Sequence, residues 1–143
     1  MNFLVDTNAV SELRKKHPAP GVLAWFASVA DEHLYFSVLS VGEIRRGVEK
    51  LAASEQRSLL LTWLEHELIP WFEGRLLPVD LAVAERWGRL LAEAGRPLPT
   101  VDSLLAATAL VHDLTVVTRN AADFALPGVK VLNPWEMGDN EGS

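Results

Sequence analysis

The sequence predicts an α/β domain built on a mostly parallel central sheet, and three observations carry that prediction. Short apolar or β-branched runs alternate with longer amphipathic stretches along the whole chain. Strands alternating with helices assemble into parallel sheets through crossover connections. The chain has 143 residues, 49% of them hydrophobic and 22% charged. That is the size and composition of one globular domain able to bury a full core, and it excludes a disordered or fibrous chain. Finally, polar clusters follow the apolar runs, where open parallel sheets gather their functional groups.

The elements follow in order. Phe3 to Val5 reads as a buried strand that ends in the turn Asp6-Thr7-Asn8. Asn8 to Lys16 is helix-like and stops at Pro18, because proline has no N–H to continue the ladder. Pro20 to Ala30 carries Val22, Leu23, Phe26 and Val29 at helical spacing. Leu34 to Val38 is a second strand. Ser40 with Glu43 three residues on is a capping-box pattern opening the next helix. Val41, Ile44, Val48 and Leu51 give that helix an apolar stripe. Ser54 to Phe72 is a long amphipathic segment interrupted at Pro70, and Arg75 to Val79 a third strand. Asp80 reads as the N-cap of a helix through Ala94, and Gly95 to Pro99 as a break. Asp102 to His112 is a helix, Leu114 to Thr118 the most β-branched strand, and Val129 to Leu132 a last short one. Residues 1–136 are read as one domain and 137–143 as a polar, flexible tail.

Cysteine is absent, which excludes disulfides, zinc–thiolate and iron–sulfur sites and a thiol nucleophile. A reducing cytoplasm suits such a chain. No signal peptide or membrane span is read from the sequence: Asp6 interrupts the start, and later apolar stretches are short or broken by charge. Thirteen basic and nineteen acidic residues give a net charge of −6. That argues against holding nucleic acid through a broad basic surface. It is compatible with acids that hold a metal ion.

The acids sit at one predicted edge of the sheet. Asp6 closes the first strand, Glu43 lies early in the helix after the second, and Asp102 opens the helix before the fourth. Thr118-Arg119-Asn120 and Asp123 follow the fourth strand. Each has an ordinary explanation. Asp6 suits a turn, Glu43 a capping box or an ion pair with Arg46, and Asp102 a helix N-terminus. Asn120 suits an Asx-turn and Asp123 a solvated surface. Together they have a stronger one. Two like charges about 4 Å apart repel by about 4 kcal/mol at an effective dielectric near 20. A convergent set therefore asks for a hard, oxygen-bound divalent cation. The four histidines show no zinc-ligand pairing, so Mg2+ fits best and Mn2+ is the plausible substitute.

Four segments bear a family resemblance: FLVDTNAVSEL, FSVLSVGEIRRGVEKL, VDSLLAATALVHDLTVVTRNAADF and VLNPWE. They resemble PIN-domain ribonucleases, and within them VapC-type toxins of toxin–antitoxin systems, the FitB-like branch included. The resemblance spans Phe3 to Glu136. It implies a three-layer α/β/α domain with a central sheet of four or five strands. It also implies Mg2+-dependent hydrolysis of RNA phosphodiester bonds at Asp6, Glu43, Asp102 and Asn120. The metal would be held by Asp6 and Asp102, with Glu43 bound directly or through water. Many relatives carry Asp where Asn120 stands. Asp123 is then a candidate for the missing charge, and Thr7, Asn8, Ser37 and Thr118 for holding waters or orienting the acids.

Local basic residues are candidates for RNA phosphate contacts at the rim: Arg14, Lys15, Arg46 and Arg119. A solvated helix face is the other reading for each. The resemblance further implies a cognate antitoxin whose basic segment wraps the toxin, a homodimer, and a toxin–antitoxin hetero-oligomer. An arginine of that partner would compete with Mg2+ for the carboxylates. The Ser54–Phe72 segment, with Leu59, Leu60, Trp63, Leu64 and Leu68, reads either as core or in part as a docking groove. The five tryptophans read as packing residues, Trp135 as an anchor for the C-terminus. Asn120 keeps one alternative open, a weak or inactive PIN-like module that regulates through its antitoxin. A phosphatase or DNA nuclease of similar fold is a third.

Overall fold

In the computed structural model, which describes residues 1–139, the first strand β1 (Phe3–Val5) occupies the centre of the sheet. On one side it pairs with β2 (Leu34–Ser37), which pairs with β3 (Leu76–Leu77). On the other it pairs with β4 (Thr115–Val117), which pairs with β5 (Lys130–Leu132). The order is β3-β2-β1-β4-β5 and every pair is parallel. The chain leaves β1 toward one side and later returns to the other. The boundary between β1 and β4 is therefore the topological switch point, where such sheets open a crevice.

Alternation along the strands builds three layers, because successive side chains point to opposite faces. Phe3, Val5, Leu34, Phe36 and Val117 enter one core, and Leu4, Val116 and partly buried Tyr35 the other. The first core is closed by α1 (Thr7–Glu12), α2 (Pro20–Ser28), α3 (Val38–Glu49) and α8 (Pro134–Asp139), with the segment around Leu64 and Leu68. It is aromatic. Phe36 stacks on Phe72 at 4.8 Å, and Phe3 meets Trp25 edge-on at 5.1 Å. The second core is closed by α6 (Leu81–Ala94) and α7 (Thr100–His112), through Leu90, Leu105, Ala106 and Ala109.

Several boundaries differ from the sequence reading, each for a local reason. The helix after β2 is capped by Ser37, not Ser40. Ser37 keeps extended backbone, and its Oγ accepts the Leu39 N–H at 3.0 Å. Ser40 lies inside the helix, and its buried hydroxyl has no partner among the described residues. The Ser40–Glu43 capping box is thus not formed, and Glu43 sits a turn further into α3. The amphipathic segment begins as α4 (Glu55–Trp63) and widens into a π turn at Leu64–Leu68. It ends as α5 (Ile69–Trp71). Pro70 withholds the N–H that an α-helix would donate four residues back, and the wider turn lies just before it. Asp80 caps α6 through Val83 N at 3.0 Å as predicted, and Gly95 ends that helix at φ +65°, a conformation that suits glycine. The last helix takes in 137–139 of the expected tail. Residues 140–143 lie outside the described residues.

Candidate active site

Asp6 is where the sheet, a helix cap and the candidate chemistry meet. It follows β1 directly, and its own N–H donates to Val117 O at 2.9 Å, fixing it against β4. As N-cap of α1 it accepts the Thr7 N–H on Oδ1 at 2.8 Å. Its Oδ2 accepts from Thr118 Oγ1 at 2.8 Å and from Asn8 Nδ2 at 3.3 Å. A carboxylate offers about four lone-pair sites. Three are used here, so one on Oδ1 remains for an outside ligand.

Thr118, fully buried at the end of β4, is the hub of this lattice. Its hydroxyl donates to Asp6 and accepts from Asn8 Nδ2 at 3.3 Å and from the Asn120 N–H at 3.1 Å. Asn8 Oδ1 in turn accepts the Arg119 N–H at 3.3 Å. Thr7 looks the other way: its hydroxyl donates to Glu43 Oε1 at 3.2 Å. The D-T-N turn therefore joins the first strand, the fourth strand and α3 in one hydrogen-bonded unit.

Electrostatics join the remaining acids. Burial pushes the Asp6 carboxyl above its ordinary range, the bonds from Thr118 and Thr7 oppose this, and the Asp123 charge adds to it. Loss of solvent also raises Glu43, against the Thr7 bond and the attraction of Arg46, with Asp6 and Asp102 raising it further. Asp102, in the first turn of α7, is raised by burial and then by Asp6 and Asp123, with no hydrogen bond to offset it. Asp6, Glu43, Asp102 and Asp123 thus share one field.

This set suits a hard cation better than a rigid cage. Every donor is oxygen. Among the described residues, no group of three acidic or histidine side chains forms a ready-made metal cage. Mg2+ commonly uses one or two carboxylates and keeps several waters. The free site on Asp6 and the unbonded carboxylate of Asp102 meet that need.

The other predicted residues divide. Ser37 is committed to capping α3. The side chain of Asn120 makes no cap bond, while its backbone N–H serves Thr118 and its carbonyl accepts from Asp123 N at 3.0 Å. Arg46 attracts Glu43 from one turn further along α3. Arg119 lies over the Trp135 ring at 5.6 Å. Arg14 lies over Trp63 at 4.9 Å, and Lys15 is taken up by Glu12 at 2.8 Å. The sequence reading passed over two residues that hold this frame. Asn133 donates to Arg119 O at 3.3 Å and accepts from Trp135 N at 3.0 Å. Buried Glu12 accepts from Ala19 N at 2.9 Å and pairs with Lys15. The N-P-W tripeptide was the available signal for the first. Glu12, an acid on an otherwise apolar helix face, was the signal for the second.

Comparison with known proteins fits this geometry. The PIN-domain profile matches residues 3–127. The chain is 38% identical over 137 residues to the VapC ribonuclease Y4jK of Sinorhizobium fredii, covering 94% of this chain and 98% of that one. It is 38% identical over 136 residues to the toxin FitB of Neisseria gonorrhoeae, covering 93% and 98%. The crystal structure of FitAcB from N. gonorrhoeae matches with a TM-score of 0.87, covering 93% of this chain and 98% of that chain. The structure of FitAB bound to an IR36 DNA fragment matches with the same TM-score of 0.87 at 36% identity, covering 93% and 95%.

Proposed function

The chain belongs to the PIN-domain family, and from that premise we propose that it is the toxin of a VapBC-type toxin–antitoxin pair. Its activity on this reading is endoribonucleolytic hydrolysis of RNA phosphodiester bonds, dependent on Mg2+ or on Mn2+ in its place. The observation that carries it is the union of Asp6, Glu43 and Asp102 in one field at the β1/β4 switch point, with Thr7 bonding Glu43.

Asp6 and Asp102 would hold the ion, with Glu43 reaching it directly or through water. When bound, the ion supplies charge to a phosphate oxygen and makes an attacking water more acidic. The protein's own groups do the rest. Thr118, Asn8 and the Thr7 N–H fix both oxygens of Asp6, so its free site keeps one direction. Thr7 holds one oxygen of Glu43 and leaves the other to take or orient a proton of water. Asn120 offers a neutral hydrogen bond. Asp123, whose charge bears on both Asp6 and Asp102, contributes the fourth negative charge that Asn120 lacks.

An antitoxin surface adjoins the acids. A groove of about 340 Å3 runs between α1, α3 and α4 from Thr7 past Ile44 and Val48 to Leu60 and Trp63, with Arg14 on its wall. A second concavity of about 290 Å3 continues by Val10, Leu13, Leu68 and Trp71. An amphipathic helix of a partner fits such a channel, and a basic residue at its end would reach the carboxylates. A toxin homodimer within the hetero-oligomer completes this reading. Exposed Val38, Val79 and Leu81, which follow the adjacent ends of β2 and β3, offer apolar surface for it. A cytoplasmic location accords with an RNA substrate. No described helix is long and apolar enough to cross a membrane.

Induced expression in a bacterial host tests the reading. Wild type should arrest growth, with new RNA ends appearing. Asp102→Asn should do neither, and co-expression of the protein encoded by the neighbouring reading frame should restore growth. Full growth arrest by Asp102→Asn would overturn it.

A further inference from the structure

Arg119 stands out among the cations because its frame is fixed while its charge is left open. Its N–H is bound by Asn8 Oδ1 and its carbonyl by Asn133 Nδ2, both at 3.3 Å. Asn8 also bonds Asp6 and Thr118, so the backbone of Arg119 is tied to the carboxylate cluster itself. On the other side, Asn133 accepts the Trp135 N–H at 3.0 Å. Trp135 packs on the aromatic core and carries the Arg119 guanidinium over its face at 5.6 Å.

Four of the other arginines are engaged by acids or carbonyls. Arg45 pairs with Glu65 at 2.8 Å, Arg57 with Glu49 at 3.0 Å and Arg86 with Glu93 at 3.8 Å. Arg75 is consumed by the carbonyls of Leu34, Asp31 and Trp71. Arg119 is exposed and has no carboxylate partner among the described residues. A guanidinium laid on an aromatic face is partly immobilised, and its planar fork matches a phosphate.

We propose that Arg119, supported by Trp135, is a phosphate-binding arm that grips single-stranded RNA beside the phosphodiester that reacts. This rests on the ribonuclease reading above and deepens it by assigning a substrate contact. The charge logic is specific to this chain. A polyanion approaching Asp6, Glu43, Asp102 and Asp123 is repelled, and a net charge of −6 offers no compensating field. A cation whose backbone is tied to Asn8 at the edge of the cluster holds the strand where a mobile one would not. Because the guanidinium rests on α8, on the β5 side of Asp6, it meets a neighbouring phosphate and leaves the acids free for the ion. Arg119 is thus a binding residue, Trp135 a positioning residue.

The test is RNA binding by fluorescence anisotropy, using a labelled single-stranded RNA oligonucleotide at several salt concentrations, in a cleavage-blocked Asp6→Asn background. Arg119→Ala should weaken binding about tenfold, as expected for a lost charge-assisted contact. It should also reduce the slope of log K against log salt by about 0.7, one phosphate on a single strand. Arg119→Lys should keep the slope and recover part of the affinity. Trp135→Leu should keep the slope and weaken binding a few-fold, and Trp135→Phe should restore most of it. With Asp6 intact, Arg119→Ala should raise KM and leave kcat within about twofold. An unchanged slope and affinity in Arg119→Ala, with cleavage by the parent enzyme retained, would overturn the arm and leave the ribonuclease reading standing. Failure of the parent to bind or cleave RNA at all would bring down both.

Discussion

Replacing Asp6 by Asn separates the structural work of this residue from its electrostatic work. The carboxylate accepts three hydrogen bonds, from Thr7 N, Thr118 Oγ1 and Asn8 Nδ2. An amide oxygen turned toward Thr118 and Asn8 keeps two of them and gives up the cap on Thr7, a loss of about 1 kcal/mol. Against that, a buried charge disappears from a field shared with Asp102, Asp123 and Glu43. Two charges about 8 Å apart at an effective dielectric near 20 repel by roughly 2 kcal/mol, so relief at least balances the lost cap. Asp6→Ala loses all three bonds and strands Thr118, about 2 kcal/mol worse than Asn. For a chain of this size about 1 kcal/mol moves the melting temperature by about 3–4 °C. Without metal, Asp6→Asn should therefore melt at or slightly above wild type, and Asp6→Ala about 6–8 °C below Asp6→Asn. Mg2+ at about 100 times its Kd should add about 2.7 kcal/mol to wild type, or about 8–10 °C, and almost nothing to either variant. Differential scanning fluorimetry in chelator and in Mg2+ reads both quantities. If Asp6→Asn falls as far as Asp6→Ala without metal, or keeps the Mg2+ shift, the Asp6 charge is neither a metal-free burden nor the metal's anchor.

Other consequences are as concrete. Ser37→Ala should cost about 1 kcal/mol by uncapping α3. Ser40→Ala should be neutral or slightly stabilising, since that buried hydroxyl has no partner among the described residues; urea melts of the two order them. Phe36→Ala should cost about 3–5 kcal/mol by removing the ring stacked on Phe72 in the buried core. Metal-free stability should rise as pH falls through the raised folded-state values of the site acids toward the ordinary carboxylate range. Asp6, Glu43 and Asp102 are all raised, so the folded state holds more protons than the unfolded one between the ordinary carboxylate range and their folded values. Glu12 and Asp113, held low by Lys15 and Lys130, turn that trend over at more acid pH. Saturating Mg2+ should flatten the rise, because it favours the ionised carboxylates; melts across pH with chelator or Mg2+ check it.

Much of this was legible because it depends on short-range pattern. The β-branched run before Thr118 and the apolar run before Asp6 mark β4 and β1, and their pairing at the switch point follows from the strand–helix alternation. Asp6 as a strand-ending acid and Asp102 as a first-turn acid fell where they were placed. Less legible was whatever depends on which of two equivalent residues the backbone chooses. Ser37 and Ser40 both suit an N-cap, and only the extended backbone at Ser37 decides between them. That choice moved Glu43 from a capping role to the Thr7 hydroxyl. Nor could spacing show that Glu12 reaches the Ala19 N–H, or that Asn133 bridges Arg119 and Trp135. Those bonds run across turns and loops that carry no helix or strand periodicity. Asn120 and Asp123 show the same limit. Asp123 lies three residues beyond the neutral Asn120, and only the fold shows that its charge bears on both Asp6 and Asp102.

Cleavage by the purified, antitoxin-free protein decides whether this acidic centre hydrolyses RNA with a divalent ion. A broad RNA pool incubated with wild type should be cut in Mg2+ or Mn2+ and left intact in chelator. Asp6→Asn and Asp102→Asn, folded by melting curve, should leave it intact in all conditions. Cleavage that survives chelation, or that persists in both variants, would rule out a metal held by Asp6 and Asp102. A folded wild-type protein that cuts no RNA in either metal would contradict RNA hydrolysis by this centre.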